Sequence, residues 1–260
     1  MTKTRAHVLN TKLAWIYDAI YPQWNRKFRS EFNQLDPLLK ARKGKDVLEY
    51  GCGEGILLSL FERAGYNVTG VDNSKEFLAL ASKKTKAKLI KGDIRDLKIK
   101  KKFDCVIIGS LVLCYMIEND DVSKLLANAY DHLNDNGILY VSAMPLSQMN
   151  HRIFYSSDSA QSWKIKGGIN VTRFNECSPE VSECIRYKWK QTYLIEKGGH
   201  LERWIDTIFL RIFTPSELRL FLAAAGFKLM KFYGNTMGKI SDWEKCDQKT
   251  SFLTLMATKD

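Results

Sequence analysis

The sequence predicts an α/β fold with a doubly wound, largely parallel sheet. Between residues 45 and 143, short apolar runs alternate with amphipathic stretches, a pattern typical of strands joined by crossover helices. The predicted strands are Asp46–Tyr50, Asn67–Val71, Lys88–Lys91, Phe103–Ile108 and Ile138–Ala143. The predicted helices are Gly55–Ala64, Ser74–Lys83 and Asp121–Leu133, and Gly65 and Gly137 follow two of them as left-handed caps.

A different pattern begins at Pro145. Three segments before residue 214 are rich in β-branched and aromatic residues, and the EKGG sequence at 196–199 predicts a hairpin turn between the last two. These segments are Ile169–Phe174, Cys184–Ile195 and Leu201–Phe213. We therefore expect residues 145–213 to form an antiparallel β insertion that either roofs a substrate or contacts a second subunit.

The chain returns to the first pattern after the insertion. Thr214, Pro215 and Glu217 supply a capping residue, a proline in the first turn and a glutamate three residues after the cap, so a helix is expected there. Two further strands are expected at 227–233 and 251–257. Residues 45–144 and 214–260 are thus predicted to form one Rossmann-like domain.

Residues 1–44 are expected to form an N-terminal helical lid. The stretch Leu9–Lys40 has a helical pattern that breaks near Pro22, and it is rich in aromatic residues. Two interpretations stay open here, because these aromatic residues suit packing against the domain as well as covering a ligand.

Composition excludes several classes of protein. With 260 residues, 45% of them hydrophobic and 27% charged, the chain is neither disordered nor a membrane bundle. The apolar run at Cys105–Ile117 is well short of the ~20 residues of a membrane helix, and the first residues lack the apolar core of a signal peptide. The 6 cysteines form no CxxC pair. We expect a cytoplasmic protein with reduced thiols and no membrane partner.

The net charge of +11 is concentrated in two stretches. Residues 1–44 contain 9 Lys/Arg and 3 Asp/Glu, a net charge of 9 − 3 = +6, and residues 83–102 contain 10 and 2, a net charge of 10 − 2 = +8. A basic surface of this kind can bind RNA, a membrane surface or an acidic substrate. No aromatic residues interleave these lysines, so a solvated face is the favoured interpretation.

The most informative segment is VLEYGCGEG at 47–55. It is an apolar strand followed directly by alternating glycines and a helix, and glycine allows the backbone to turn sharply and approach a ligand at the carboxyl end of a parallel strand. A dinucleotide-binding loop would need a glycine where Ile56 stands. The acidic Glu49 before Gly51 and Gly53 favours a ligand that carries an ammonium group over a pyrophosphate.

Two aspartates follow neighbouring predicted strands. Asp72 ends the second strand, where a carboxylate can accept hydrogen bonds from both hydroxyls of a ribose. Asp93 follows the third strand, where it can accept from an exocyclic amino group while Ile94 covers an aromatic base. Either residue alone is more often a helix cap or turn former. Together with the glycine loop they predict a nucleoside-containing ligand.

Because the glycine loop and the two aspartates occur in this order, the chain resembles the class I S-adenosylmethionine-dependent methyltransferases over about residues 10–260. Five segments of this chain are similar to five successive motifs of that family. They are VLEYGCGEG, GVDNS, GDIRDL, FDCVIIGSLVLCYM and LNDNGILYVSA. The resemblance implies a seven-stranded sheet in the order 3-2-1-4-5-7-6 with strand 7 antiparallel, which makes Lys88–Lys91 an edge strand. The YDxxY sequence at 17–21 and the insertion after strand 5 look most like the small-molecule branch, which includes sugar and amino-acid N-methyltransferases.

The resemblance also implies a binding site for S-adenosylmethionine. The methionine end would lie at Glu49, Gly51, Gly53 and Tyr17, with Arg26 as a candidate for its carboxylate. The ribose and the adjoining adenine edge would lie at Asp72 and Asn73, the adenine at Asp93 and Ile94, and the methyl group beside Ser110.

The catalytic candidates are Tyr115, Tyr17 and His151. Tyr115 stands where amino-sugar members of this branch resemble one another in having histidine, so the identity of a general base stays open. No metal is expected, because methyl transfer from a sulfonium needs none and the histidines at 7, 132, 151 and 200 lack ligand spacing with one another.

The predicted function is methyl transfer to nitrogen or oxygen of a small organic molecule by in-line displacement. An RNA methyltransferase that uses the basic face is one alternative, although the sequence after the fourth strand, GSLVLCYM, lacks the motif of amino-methylating nucleic-acid enzymes. A non-catalytic module that binds S-adenosylmethionine is the other. A homodimer through the 169–213 hairpin is expected, since an aromatic antiparallel ribbon exposes edges and apolar surface.

Overall fold

The computed structural model describes residues 7–22, 24–145, 160–181, 185–236, 239–242 and 252–259. Its main element is an eight-stranded mixed sheet flanked by helices. The strands are β1 (Asp46–Tyr50), β2 (Asn67–Asp72), β3 (Lys88–Lys91), β4 (Phe103–Ile108), β5 (Leu133–Ala143), β10 (Phe227–Thr236), β11 (Lys239–Asp242) and β12 (Phe252–Lys259).

The strand order is β3-β2-β1-β4-β5-β12-β10-β11. Strands β1 to β5 are parallel, whereas β12 lies antiparallel between β5 and β10. The predicted order and the antiparallel last strand are confirmed, and Lys88–Lys91 is an edge strand as expected. The short β11 adds an eighth strand at the opposite edge, by pairing with β10 across a hairpin.

Six α-helices accompany the strands in the described ranges: α1 (Tyr17–Ile20), α2 (Trp24–Ala41), α3 (Ile56–Arg63), α4 (Lys75–Ala81), α5 (Asn119–His132) and α6 (Pro215–Ala224). The predicted helical region before the sheet is broken as expected, into a 3-10 turn at Ala14–Ile16, then α1, then α2. Thr214 and Glu217 form the expected reciprocal capping bonds at the start of α6. No helix in the described part of the chain is both long and apolar enough to cross a membrane.

The prediction that Gly137 caps α5 in a left-handed conformation is wrong. Helix α5 ends at His132 and β5 begins at the next residue, and the left-handed residue is Asn136, with φ 61°. Asparagine tolerates this conformation better than most residues. Glycine is needed at 137 for another reason, since a Cβ there would lie 2.8 Å from the backbone oxygen of Asn134.

The insertion forms a separate antiparallel sheet in the order β6-β7-β8-β9. These strands are β6 (Ala160–Ile165), β7 (Ile169–Val181), β8 (Ile185–Lys197) and β9 (His200–Arg211). The expected turn between β8 and β9 is present, with Gly198 and Gly199 at φ 57° and 78°. Strand β6 was not predicted, because AQSWKI lacks a run of β-branched residues.

One face of this second sheet packs against the N-terminal segment. Buried apolar side chains from both form a single cluster: Leu9, Leu13, Ile16, Ile20, Val171, Tyr193 and Ile195. The larger core of the molecule, around β1, β4 and β5, takes in Tyr187, Ile208 and Leu210, which lie on the same face of the insertion. The two regions that were predicted separately as lid and insertion therefore share one apolar layer.

Candidate functional site

The loop after β1 has the geometry expected of a ligand-binding turn. Gly51, Gly53 and Gly55 all have positive φ, at 66°, 51° and 77°. A Cβ at Gly53 would meet nothing within 4 Å, so the loop is open there. Gly51 differs, because a Cβ would lie 2.4 Å from Cγ2 of Val112, which follows β4. The structure thus leaves open space for a ligand at Gly53, while Gly51 is required by a neighbouring side chain.

Asp72 joins this loop to the end of β2. Its Oδ2 accepts a hydrogen bond from the backbone N–H of Gly53 (2.8 Å), and its Oδ1 accepts from the N–H of Ser74 (2.8 Å). Burial raises the pKa of Asp72, and these N–H groups act in the opposite direction. The N–H of Asn73 also bonds this carboxylate, so three N–H groups use part of its acceptor capacity and the remainder can accept from a ribose hydroxyl. Asn73, predicted to lie beside Asp72 in the site, is exposed.

Two polar atoms at the strand ends are buried without a hydrogen-bond partner among the described residues. They are Oε2 of Glu49 in β1 and Oγ of Ser110 after β4. Burial, and then the nearby Glu31 and Asp72, raise the pKa of Glu49 well above its usual value. Ser110 and Leu111 are both left-handed, with φ 48° and 67°, a strained pair of the kind found at functional sites. Orphaned buried groups and local strain both fit a site completed by a polar ligand.

The predicted adenine-binding residues are placed differently from each other. Ile94 is buried in the main core. Asp93 is partly exposed, and its carboxylate accepts a hydrogen bond from Nε of Arg95 at 2.9 Å. That guanidinium lowers the pKa of Asp93. An adenine amino group would therefore share Asp93 with Arg95.

Arg26 is not brought to the site. It is exposed on α2, and the neighbouring Lys27 is the buried cation of this helix. Lys27 pairs with Glu31, and its Nζ lies 3.4 Å from Oγ of Ser142 in β5. The carboxylate of Glu31 is 3.5 Å from the position of a Cβ at Gly109, at the carboxyl end of β4.

A signal for Lys27 was present in the sequence. The buried positions of α2 are Lys27, Glu31, Leu35 and Leu39, spaced four residues apart. Extending the apolar stripe of Leu35 and Leu39 back by two turns selects Lys27 and Glu31 and rejects Arg26.

An aromatic group lies above the strand ends. Tyr17 packs against Tyr21, with ring centroids 4.9 Å apart, and edge-on against Phe77 at 5.1 Å. Burial, then the proximity of Tyr21 and Tyr115, raise the pKa of Tyr17 well above its usual value. Burial likewise raises the pKa of Tyr115. The structure therefore brings Tyr17 and Tyr115 together, and both stay protonated near neutral pH.

His7, which was not among the candidates, lies beside Tyr115. The two ring centroids are 5.5 Å apart. Nδ1 of His7 is 3.7 Å from Oδ1 of Asp206 in β9. No local pattern marks this pair, because its members are brought together only by the fold. The catalytic candidate His151 lies outside the described residues.

The N-terminal segment is tied both to the main domain and to the insertion. Ser74 donates from Oγ to the backbone oxygen of Asn10, and Arg173 of β7 donates to the hydroxyl of Tyr21. Lys84 pairs with Asp18 of α1 and with Glu54 of the glycine loop (2.7 Å). We use "cover" for residues 7–22 together with β6 to β9. These contacts hold the cover close to the residues that follow β1 and β2.

Part of the basic stretch at 83–102 is paired within the protein. Four of its 10 Lys/Arg form ion pairs: Lys84 with Asp18 and Glu54, Arg95 with Asp93 and Asp121, Lys98 with Asp131, and Lys101 with Asp46. The described residues contain no group of three or more His, Cys, Asp or Glu side chains that could hold a metal.

Comparison with known proteins agrees with this geometry. Residues 47–137 match the family model for a methyltransferase domain. A putative methyltransferase of Geobacillus is 30% identical over 156 residues, which cover 56% of this chain and 61% of that protein. An enzyme of Streptomyces venezuelae, dTDP-3-amino-3,4,6-trideoxy-alpha-D-glucopyranose N,N-dimethyltransferase, is 22% identical over 86% of this chain and 93% of its own length.

A solved structure matches nearly the whole chain. CalS10, an amino pentose methyltransferase from Micromonospora echinaspora solved with S-adenosylmethionine bound, superposes with a TM-score of 0.72. The match covers 94% of this chain and 97% of CalS10 at 20% sequence identity. At that identity the likeness establishes the fold, including the N-terminal segment and the insertion.

Proposed function

We propose that this chain is a class I S-adenosylmethionine-dependent methyltransferase, as the methyltransferase domain matched at residues 47–137 indicates, and that it methylates the amino nitrogen of a sugar or similar small molecule. The observation that carries this proposal is the grouping of Tyr17, Tyr21 and Tyr115 close to Asp72, which holds the glycine loop. Aromatic side chains beside the strand ends suit an organic molecule better than a nucleic-acid backbone.

The strand ends would hold the cofactor. Gly53 leaves room for it, Asp72 would accept from its ribose, and the unpaired oxygen of Glu49 would accept from its ammonium group. Asp93 and Ile94 would border the adenine. S-adenosylmethionine supplies a methyl group that is already activated by its positive sulfur. The chain therefore needs to orient the acceptor and exclude water more than to activate the donor.

The tyrosines would orient the acceptor. Since burial keeps Tyr17 and Tyr115 protonated, their hydroxyls can donate hydrogen bonds but are poor bases at neutral pH. An amine suits such a site, because its nucleophilic lone pair becomes available after loss of one proton. Nitrogen is therefore favoured over oxygen as the acceptor. Two relatives point to the same class of acceptor, since their names describe amino-sugar methyltransferases.

Radiolabelled S-adenosylmethionine, supplied with a panel of amino sugars, phenols and structured RNA, tests this function directly. We expect label to appear on an amino sugar, with turnover that is insensitive to added RNA. The matched control is Asp72→Ala, which should bind little cofactor and label nothing. Label on RNA alone would replace this function with the nucleic-acid one, and cofactor binding without transfer would favour a non-catalytic module.

We also propose that the insertion mediates a homodimer. On its outer face, Phe174, Ile205 and Phe209 are 42%, 46% and 36% exposed, and Leu201 is 61% exposed. Exposed apolar side chains clustered on one sheet face suit a two-fold partner. Light scattering at about 50 μM protein should give twice the chain mass, and Ile205→Arg should return the monomer. A monomeric wild-type protein would end this idea.

We propose a cytoplasmic location because the described cysteine thiols are free. Cys52, Cys105, Cys114 and Cys177 are free among the described residues, and the first three are buried. Buried, unpaired thiols are typical of a reducing compartment.

A further inference from the structure

We propose that His7, held by Asp206, is the base that takes the proton from the methyl acceptor. This inference rests on the proposed function, and it fills the position of the general base that the sequence left open. The expected histidine is replaced by Tyr115, and the His7 ring lies against that same tyrosine, 5.5 Å away between centroids. The fold thus supplies a histidine to this location from the opposite wall of the pocket.

The position of His7 is fixed by the turn that follows it. Its backbone oxygen accepts hydrogen bonds from Oγ1 of Thr11 (2.8 Å) and from the N–H of Asn10 (3.1 Å). The next residues enter the apolar cluster shared with the insertion. The backbone of His7 is therefore fixed by this turn, and its ring lies close to Tyr115 and Asp206.

Asp206 is suited to stabilise a protonated histidine. Burial alone would raise the pKa of Asp206, but His7 and the N–H groups of Leu9 and Val8 bring it below its usual value, so the carboxylate is charged. Its Oδ1 faces Nδ1 of His7 at 3.7 Å, and its Oδ2 is buried without a hydrogen-bond partner among the described residues. With Nδ1 directed at Asp206, Nε2 is the nitrogen left to accept a proton.

Two titratable groups face His7 directly. Asp206 faces it from β9, and Tyr115 faces it from the turn after β4. Tyr21 and Asp72 lie farther away, close enough to Tyr115 to influence its pKa. The cation beside this group is Arg173 of β7, which donates to the hydroxyl of Tyr21.

Other described side chains are poor candidates for this role. Met144 donates its N–H to Sγ of Cys114, and burial raises the pKa of that thiol to about 12. His132 is buried between Tyr50 and the N–H of Ile99, and His200 is exposed at the turn before β9. His7 is thus the described histidine that borders the pocket.

The proton balance of the step is simple. The acceptor enters as an ammonium ion and passes one proton to Nε2 of His7. The freed nitrogen lone pair then forms a bond to the methyl carbon while the carbon–sulfur bond breaks and sulfur keeps the electron pair. The methylated acceptor leaves with its positive charge, and His7 returns its proton to solvent.

The test compares His7→Ala and Asp206→Asn with the control His200→Ala. We expect His7→Ala to lower kcat on an amino sugar by about 100-fold, in the range of a lost general base. Its affinity for S-adenosylhomocysteine, measured by calorimetry, should stay within about twofold of wild type. Added imidazole should restore at least about a tenth of the lost turnover, as expected when a base is replaced by a small diffusible one.

The positioning residue and the control should respond differently. Asp206→Asn should lower kcat by about tenfold without rescue by imidazole, because the ring is still present. His200→Ala should leave turnover within about twofold. Should His7→Ala fail to fold, His7→Gln carries the test, and its kcat must fall by about 100-fold with cofactor affinity unchanged.

Two results would overturn the assignment. The first is that the kcat of His7→Ala stays within about threefold of wild type. The second is that its kcat falls together with its cofactor affinity and that imidazole does not restore it. Failure of the proposed function looks different. In that case the wild-type protein would methylate a phenol or hydroxyl but no amine, and the same comparison on that acceptor would still decide the role of His7.

Discussion

The two walls of the site are built in different ways. The strand-end wall consists of residues at or just after the end of a buried strand, as with Gly53, three residues after β1, and Asp72, the last residue of β2. The cover is held by contacts between distant parts of the chain, such as Arg173 with Tyr21 and His7 with Asp206. We propose that the first wall binds the cofactor in a fixed position and that the second wall binds the acceptor and adapts to it.

The largest effect is expected where α2 supports the strand-end wall. Lys27→Met leaves Glu31 as an unpaired buried charge, and should lower the free energy of unfolding by about 3–5 kcal/mol in urea denaturation. Lys40→Met is the matched control, since Lys40 forms the same i,i+4 pair with Asp36 on the same helix but is 65% exposed. It should change stability by less than about 0.5 kcal/mol. Equal effects would show that burial does not distinguish the two pairs.

Asp72→Ala tests the separation of the walls from the cofactor side. It removes the acceptor for the N–H groups of Gly53 and Ser74 as well as the proposed ribose contact, so affinity for S-adenosylhomocysteine should fall at least about 100-fold. Calorimetry measures this, and Asp120→Ala, on an exposed aspartate of α5, should bind as wild type does. Wild-type affinity in a folded Asp72→Ala protein would mean that the ribose lies elsewhere.

Tyr115→Phe tests the separation of the two walls at the wall that is proposed to bind the acceptor. Loss of a hydroxyl that orients the acceptor should reduce kcat by roughly 10- to 100-fold with cofactor affinity nearly unchanged. Tyr130→Phe is the control, because Tyr130 packs against Phe227, away from the pocket. A fall in cofactor affinity of the same size would contradict the division between the two walls.

Ser74→Ala should have the smallest effect and the most mixed one. Ser74 caps α4 by accepting from the N–H of Phe77 at 3.0 Å, and also donates to Asn10 of the cover. Its loss should cost about 1 kcal/mol of stability and alter both cofactor affinity and KM for the acceptor by a few-fold. Urea denaturation and steady-state kinetics measure these changes, for which Ser82→Ala on the exposed end of α4 is the reference. A change in only one of these, the cofactor affinity or the KM for the acceptor, would show that Ser74 does not couple the two walls.

The difference between the walls also explains what could be predicted from sequence. The strands, the insertion and the loop residues were predictable because strand periodicity and the residues that follow each strand are local patterns, whereas the strand order was implied by the family resemblance. The exposure of Arg26 and the burial of Lys27 follow from the 100° between successive helical positions, which basic side chains alone do not reveal. His7 and Asp206 carry no local signal, since neither follows a strand of the main sheet or forms part of a motif.

The way the insertion joins the main sheet affects how the acceptor wall can change. Pro145 and Phe213 form an isolated bridge, and the N–H of Phe213 donates to the backbone oxygen of Met144 at 3.1 Å. The insertion therefore leaves and re-enters the domain at a single clasped point, and the entropy of closing such a loop grows only slowly with its length. Whole segments between these two residues can accordingly be lengthened, shortened or exchanged between related proteins while the cofactor loops keep their positions. This makes the clasp a natural junction for grafting new acceptor specificity.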